Sequence, residues 1–348
     1  LARVLIEFPH RPGGHCSSTA LRDMLSFYGH ELTEEMVFGI GVGLGFVYYK
    51  NADMNPPIYV GGRIYNLEEH FTKHLGIDME VVSGIDEERG WLEVKAMIDS
   101  GIPVMVHADV YYLDYLRAKV HFSGHRIVIV GYDEEKEIAY VADNDRDQIQ
   151  ECSIESLRKA RSARFLPQPA DNTYYRFRVP ENLKPLREAI IQALVKVVKY
   201  NLRLPAEKTI TSHDGALMVR GIEGVRFLAE NMNCWLDEFE KEKVVLLCKN
   251  IYVTAEKGGT GYGGNFRRIY GRFLREASNV LPEKRLEDIG NHFISIGNEW
   301  TKMCMIFKEF SNEPEKAIEL AAPIASKIYA DERSALESVE TVLTQFGV

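Results

Sequence analysis

Apolar positions recur at helical spacing downstream of Cys16. Ala20, Leu21, Met24, Leu25 and Tyr28 follow one face, and Gly29 stands where a left-handed C-terminal cap belongs. The pattern predicts a first helix over residues 16–28, entered from the Gly13-Gly14 turn. Before it, residues 3–8 read as a short strand ended by Pro9. After it, Thr33 with Glu34 and Glu35 opens a second helix that runs into the alternating glycines Gly39, Gly41, Gly43 and Gly45. A dinucleotide fingerprint needs a strand before its glycines and a helix after them, and neither flank fits. The stretch reads instead as a strand or loop that another backbone or a substrate approaches closely.

Residues 67–75 have helical period and carry His70 and His74 one turn apart, with no third ligand in view, so these read as surface histidines. A strand at 79–82, a helix at 91–99 ended by Gly101 and an apolar strand at 103–108 follow. Residues 125–132 and 137–143 are two strands rich in β-branched residues around a polar turn at 133–136, which predicts a hairpin. Its pairing sets Asp143 or Asn144 opposite His125. After a helical stretch, Pro167 and Pro169 break the chain, and a last strand at 173–179 ends at Pro180. Beyond Pro180 to Lys184 the period is helical almost throughout: 186–203, 215–232, 235–254, 266–277, 283–310, and 314–346 with breaks. The expected fold is therefore α+β, a helix packed on an antiparallel sheet over residues 1–180, followed by an all-α domain over 181–348.

Composition narrows the function without naming it. The 348 residues suffice for two domains, and a formal charge of −9 with no Lys/Arg-rich run makes nucleic acid an unexpected partner. The five cysteines are scattered, without a Cys-x-x-Cys pair, which predicts a reducing compartment and neither a disulfide framework nor a thiolate zinc site. No apolar run reaches membrane-spanning length, no signal-peptide pattern opens the sequence, and Leu1 in place of Met implies that a few residues precede it. The expected location is cytoplasmic.

The chemistry centres on Cys16. At a helix start, unpaired backbone N–H groups and the positive end of the dipole favour the thiolate, although a lone cysteine is more often a core residue. What shifts the balance is its company. Cys16, His125 and Asp143, in that order, supply a nucleophile, a proton relay and a group that orients the ring, the logic of papain-like cysteine enzymes. The backbone N–H of Cys16 is one oxyanion donor. His10 stands six residues upstream, where papain-like enzymes carry a glutamine, and is the expected second donor, with His15 its rival. In the helical half, the glycines from Gly258 to Gly264 lead through Asn265 to Arg267 and Arg268 at a helix start. This is either an anion cradle or a tight interhelical turn, and it lacks the Gly-Lys-Ser/Thr ending of a P-loop.

The motif Gly13-Gly14-His15-Cys16-Ser17-Ser18-Thr19-Ala20-Leu21, the run Glu34 to Gly39 with its glycine alternation, and Gly124-His125-Arg126-Ile127-Val128 resemble the N-terminal domain of the butirosin-biosynthesis protein H family. The helical half, with Gly259-Thr260-Gly261, Gly264-Asn265-Phe266-Arg267 and Phe273-Leu274-Arg275-Glu276-Ala277, resembles the uncharacterised domain that usually follows it. The resemblance implies a papain-like fold, similar to the peptidase-C39 group, and an acyltransferase. Such an enzyme takes an aminoacyl group from the phosphopantetheine thioester of an acyl carrier protein and forms an amide on an aminoglycoside amine. Here the expected partners are a carrier-protein or CoA-like thioester donor and a small-molecule amine, with Cys16 attacking the thioester and His125 moving the proton. Arg267 and Arg268 are expected to meet the pantetheine phosphate or an acidic carrier, and no metal or other cofactor is expected. With water as acceptor, the same residues make a peptidase, amidase or thioesterase. The long helical domain is compatible with a homo-oligomer.

Overall fold

The computed structural model describes residues 2–165, 168–213 and 215–347. In chain order its elements begin with β1 (Arg3–Leu5), α1 (Cys16–Phe27), α2 (Glu34–Ile40), β2 (Leu44–Asn51), β3 (Ile58–Arg63), α3 (Leu67–Leu75), β4 (Asp78–Val82), α4 (Glu87–Asp99) and β5 (Val104–Ala108). There follow β6 (His125–Asp133), β7 (Ile138–Ala142), β8 (Gln150–Ser153), α5 (Ile154–Ser162) and β9 (Tyr174–Arg178). The remainder comprises α6 (Leu186–Leu202), α7 (Ala206–Thr209), β10 (Ile210–His213), β11 (Ala216–Arg220), α8 (Gly221–Asn231), α9 (Trp235–Glu238), α10 (Lys241–Tyr252), α11 (Arg267–Val280), α12 (Arg285–Glu309) and α13 (Pro314–Leu343). The architecture is α+β, then helical.

Residues 1–37 and 76–183 form one compact unit, and residues 38–75 and 184–348 form another. The first unit is built on a seven-stranded antiparallel sheet in the order β4-β9-β5-β6-β7-β8, with β1 also paired to β6. The length of β6 is what admits two neighbours on one edge. Its first half pairs with β5, from Ala108↔His125 to Val104↔Ile129, and its last three residues pair with β1. Val104, Val106, Ile127, Ile129 and Val141 meet Val94 and Ile98 of α4 and Leu157 and Ala160 of α5 in one fully covered cluster. Each such side chain contributes roughly 1.5–3 kcal/mol on burial. Because α1 also packs against β6, that strand is covered along nearly its whole length, which is why its middle, from Ile127 to Val130, is an unbroken apolar run.

The second unit holds a four-stranded antiparallel sheet, β10-β11-β2-β3, among its helices. Residues 216–220, expected to begin a helix, are instead β11, paired with β2 from Ala216↔Asn51 to Arg220↔Val47. A five-residue stretch has no strong preference of its own, and here long-range pairing with a strand more than 150 residues earlier overrides the local period. The helix expected over 235–254 is interrupted between α9 and α10, whereas α13 runs through Pro323 as one helix of 30 residues. The expected break at Pro167 lies outside the described residues.

The boundary expected near Pro180 to Lys184 falls where the chain passes into the second unit at Lys184, but residues 38–75, assigned from the sequence to the first domain, group with the helical half. The alternating glycines explain part of this. Gly39, Gly43 and Gly45 lie against the side chains of Phe273, Phe38 and Ile64, so the stretch is a packing surface inside the second unit. His70 and His74, read as surface residues, are also corrected. His74 is buried and donates from Nδ1 to the Ile40 carbonyl at 2.8 Å, while His70 accepts from Lys196 at 3.1 Å. Burial first, then the neighbouring Lys196, push the His70 imidazole down to about 4, so it is neutral.

A fragment ending at residue 180 would retain β2 and β3 without β11, with Phe38, Ile40, Leu44, Phe46 and Tyr48 stripped of their cover. Such a fragment is expected to aggregate or to melt without cooperativity in calorimetry. A soluble, cooperatively folding 1–180 fragment would contradict this division of the chain.

Candidate functional site

The turn before α1 is shaped by one carboxylate. Glu34, 2 % exposed, accepts from the backbone N–H groups of Gly14 (2.9 Å) and His15 (2.8 Å) and from the hydroxyls of Ser18 (2.9 Å) and Thr19 (3.1 Å). The fit leaves no room for a side chain at position 13, where a Cβ would stand 2.0 Å from the Thr19 hydroxyl and 2.6 Å from a Glu34 oxygen. His15 is the N-cap of α1, extended in backbone, with its Nδ1 accepting from the Ser18 N–H. Among the described residues the N–H of Cys16 itself makes no hydrogen bond, so it remains open to an incoming oxygen. Asn144 ties the turn to the end of β7, since the Gly13 N–H donates to its carbonyl (2.7 Å) and its amide donates to the Gly13 carbonyl (3.1 Å).

His125 begins β6 and Asp143 follows β7. Their hairpin has Val128 facing Ala142 and Ile129 facing Val141, with an irregularity before Gly131. Carried on, that register sets Asp143 opposite Ile127, so Asp143 is the diagonal rather than the direct neighbour of His125. The side chains meet all the same, His125 Nε2 lying 2.8 Å from Asp143 Oδ1. The other carboxylate oxygen accepts from the Tyr115 hydroxyl at 2.7 Å. With Nε2 given to Asp143, the hydrogen bond that the ring shares with the Cys16 sulfur falls to Nδ1.

The electrostatics of these groups point one way. Burial, the strongest influence on the Cys16 thiol, pushes it up; the hydrogen bond and charge of His125 and the charge and backbone N–H of Arg126 outweigh it and hold the thiol below its ordinary value. Burial would lower His125, yet the charge and hydrogen bond of Asp143, aided by Cys16, hold its imidazole well above the ordinary range. Burial would raise Asp143, while His125, the Tyr115 hydroxyl and the Asn144 N–H hold it low. The arrangement therefore favours thiolate, imidazolium and carboxylate together. Of the other cysteines, Cys152, Cys248 and Cys304 are buried thiols that desolvation pushes up, Cys248 to about 12.

Residues 15–144 match the family described as Butirosin biosynthesis protein H, N-terminal, and residues 155–339 match Domain of unknown function (DUF4872). The chain belongs to this two-part family. No curated protein matches it. In this member of the family, Cys16, His125 and Asp143 all fall inside the first match, and no helix among the described residues is long and apolar enough to cross a membrane.

The remaining site residues expected from the sequence stand elsewhere or are otherwise engaged. His10 does not offer a free N–H to an oxyanion, because Nδ1 is 2.8 Å from Asp23 Oδ2 and Nε2 is 2.8 Å from the Arg146 carbonyl. The cradle at Arg267 and Arg268 is closed. Arg267, 1 % exposed, grips Glu332 with Nε and one terminal nitrogen (2.6 and 2.9 Å) and donates with the other to the carbonyls of Gly62 and Asn265. Arg268 is held by Asn298, Thr301 and the Tyr262 carbonyl. Asn265 is fully buried, and a Cβ at Gly264 would strike the backbone of Gly297, so the glycine loop serves close packing on α12. Among the described residues no group of three or more His, Cys, Asp or Glu side chains is placed to hold a metal ion.

Sequence reasoning missed the roles of Glu34, Tyr115 and Arg126, and offered Asn144 only as a residue facing His125. Only Glu34 gave a signal, an acidic residue in the first turn of α2, and it reads there as a helix-start preference. Iodoacetamide at neutral pH is expected to label Cys16 ahead of the exposed Cys234, with a rate that rises with pH below the range of an ordinary thiol, read by peptide mass mapping. Faster labelling of Cys234 would contradict the thiolate. Glu332→Gln leaves the Arg267 guanidinium buried beside a neutral amide and is expected to cost about 3–5 kcal/mol in urea unfolding. A loss below about 1 kcal/mol, the scale of an exposed pair, would contradict the buried-pair account.

Proposed function

We propose that the chain is a cysteine-dependent acyltransferase that moves an acyl or aminoacyl group from a thioester to an amine through an acyl-Cys16 intermediate. The observation that carries this reading is the hydrogen-bonded series Cys16, His125, Asp143, with the thiol held low at the open end of α1. The Cys16 thiolate attacks the thioester carbonyl, and the charge that develops on its oxygen meets the free Cys16 N–H. The carbon–sulfur bond to the donor breaks, and the departing thiolate takes the proton of the His125 imidazolium. The neutral imidazole then accepts a proton from the incoming amine as its nitrogen attacks the acyl carbon. The Cys16 thiolate leaves, the amide is formed and the ion pair is restored. Asp143 holds the ring in the right tautomer throughout and does not exchange protons.

The family description, butirosin biosynthesis protein H, supports a biosynthetic role, and the resemblance supports an acyl carrier protein as donor and a small-molecule amine as acceptor. No step requires a cofactor. Because Arg267 and Arg268 are committed to internal partners, recognition of the donor is assigned to the surroundings of Cys16 in the first unit.

The test is intact mass after incubation with a panel of acyl thioesters, with and without amines. The native chain is expected to gain one acyl group, Cys16→Ala none, and an amine is expected to discharge it faster than water does. Asp143→Asn is expected to lower turnover by about a hundred- to ten-thousandfold. Discharge at the same rate in water alone would identify a hydrolase with the same residues, and no acyl adduct with any thioester would sink the proposal.

A further inference from the structure

Both ring nitrogens of the buried His10 are engaged by the protein, and the ring reaches both halves of the site described above. Its side chain is 4 % exposed, and that of Asp23 is 2 % exposed. Asp23 lies on α1, two turns beyond Cys16, and Arg146 lies three residues beyond Asp143. Both neighbours of the ring are acceptors, a carboxylate oxygen and a backbone carbonyl, and a neutral imidazole has only one N–H to give. We propose that His10 is a doubly protonated strut, donating from Nδ1 to Asp23 and from Nε2 to the Arg146 carbonyl, that holds the helix carrying Cys16 and the segment carrying Asp143 in register. It is a positioning residue, and it rests on the reading of Cys16 as nucleophile.

The charged groups around the ring fit a cation there. On α1, Asp23 faces it and is shared with Arg22, whose Nε and a terminal nitrogen reach Asp23 Oδ1 at 2.9 and 2.8 Å. Arg22 also donates to the carbonyls of Arg11 and Pro12, which fixes the loop that bears His10. The Arg11 guanidinium turns away to Glu31 and Ser26, and that of Arg146 turns to Asp145 and the Tyr115 carbonyl. Burial works against the charge, but the hydrogen bonds to Asp23 and the Arg146 carbonyl prevail and raise the imidazole. The sign follows: the strut is whole while His10 is protonated and loses one of its two bonds as pH climbs through the raised value.

Two variants separate positioning from simple stability. In His10→Asn the amide nitrogen takes the place of Nδ1, keeping Asp23 and losing Arg146. In His10→Gln it takes the place of Nε2, keeping Arg146 and losing Asp23. The readout is the pH dependence of Cys16 alkylation by iodoacetamide in the full chain, with melting temperature measured alongside. Each variant breaks one end of the bridge, so both are expected to move the thiolate titration up by about one pH unit, roughly tenfold less thiolate below the midpoint. An unmoved titration in both variants despite lowered melting temperatures, or a shift in only one of them, would overturn the strut and leave the nucleophile standing. A native Cys16 that alkylates no faster than Cys234 would instead remove the nucleophile reading. Should His10→Asn fail to fold, nitrogen NMR of the native imidazole decides. Both ring nitrogens protonated at neutral pH is the expected result, and a single neutral tautomer there overturns the proposal.

Discussion

A carboxylate as deeply covered as Asp143, 1 % exposed, survives in a folded chain only where other groups replace the water it has lost. Here a ring nitrogen, a phenol and a backbone N–H do so. Everything else at the site depends on that replacement. Without the negative charge, burial would strip His125 of its second proton; without the imidazolium, burial would hold the Cys16 thiol protonated. The chain of dependence runs from Asp143 outward, although a reader of the sequence meets the cysteine first. It also explains why Tyr115, on the segment between β5 and β6, belongs to the site: its hydroxyl occupies the carboxylate oxygen that His125 does not.

The second constraint is geometric. A thiolate at a helix start is useful only if the turn before it is rigid and the nearest N–H is left open. Glu34 meets both needs by consuming the N–H groups of Gly14 and His15 while leaving that of Cys16. Four hydrogen bonds on one buried carboxylate, each to a charged acceptor and so stronger than a neutral pair, fix the loop more firmly than backbone turns alone would. Glu34 stands only three residues before the chain passes into the second unit. The stretch that leaves after Val37 and returns at Gly76 carries β2 and β3, whose partner β11 is not made until residue 216. The second unit therefore closes its sheet from two separated pieces of sequence, and the first unit is likewise interrupted.

How much of this was legible depended on range. The helix at Cys16, the 125–143 hairpin and the approach of His125 to Asp143 rest on local period and turn chemistry, and the sequence predicts them well, with the hairpin register off because the turn lies one residue later than expected, at 134–137, and the irregularity before Gly131 recovers only part of the difference. What depends on distant pairing was not legible. Nothing local distinguishes 216–220 from a helix start, and nothing in 38–75 says which half of the chain will cover its apolar face. Arg267 misled for a related reason. A basic residue after glycines at a helix start looks like an anion site until its carboxylate is seen, and Glu332 is 65 residues away. His10 had the right neighbourhood and the wrong role, since only the structure shows two acceptors where one N–H was expected to be free.

The magnitudes decide which feature makes Cys16 unlike the other thiols. A helix N-terminus is worth about 0.3–1 kcal/mol to a negative charge at its end, rising to about 2 kcal/mol in the best partly buried cases. One pKa unit is about 1.4 kcal/mol, and full burial can move an ionisable group the wrong way by about 3–5 units. A helix start alone therefore cannot hold a thiol as covered as Cys16, 7 % exposed, in its charged form. The hydrogen bond of His125 and the charges of His125 and Arg126 are needed, because together with the Arg126 N–H they outweigh the desolvation. Cys152 is the internal control: burial first, then the neighbouring carboxylate of Asp114, drive its thiol up instead. The helix start sets where the sulfur points, and the hairpin that brings His125 and Asp143 decides what that sulfur is.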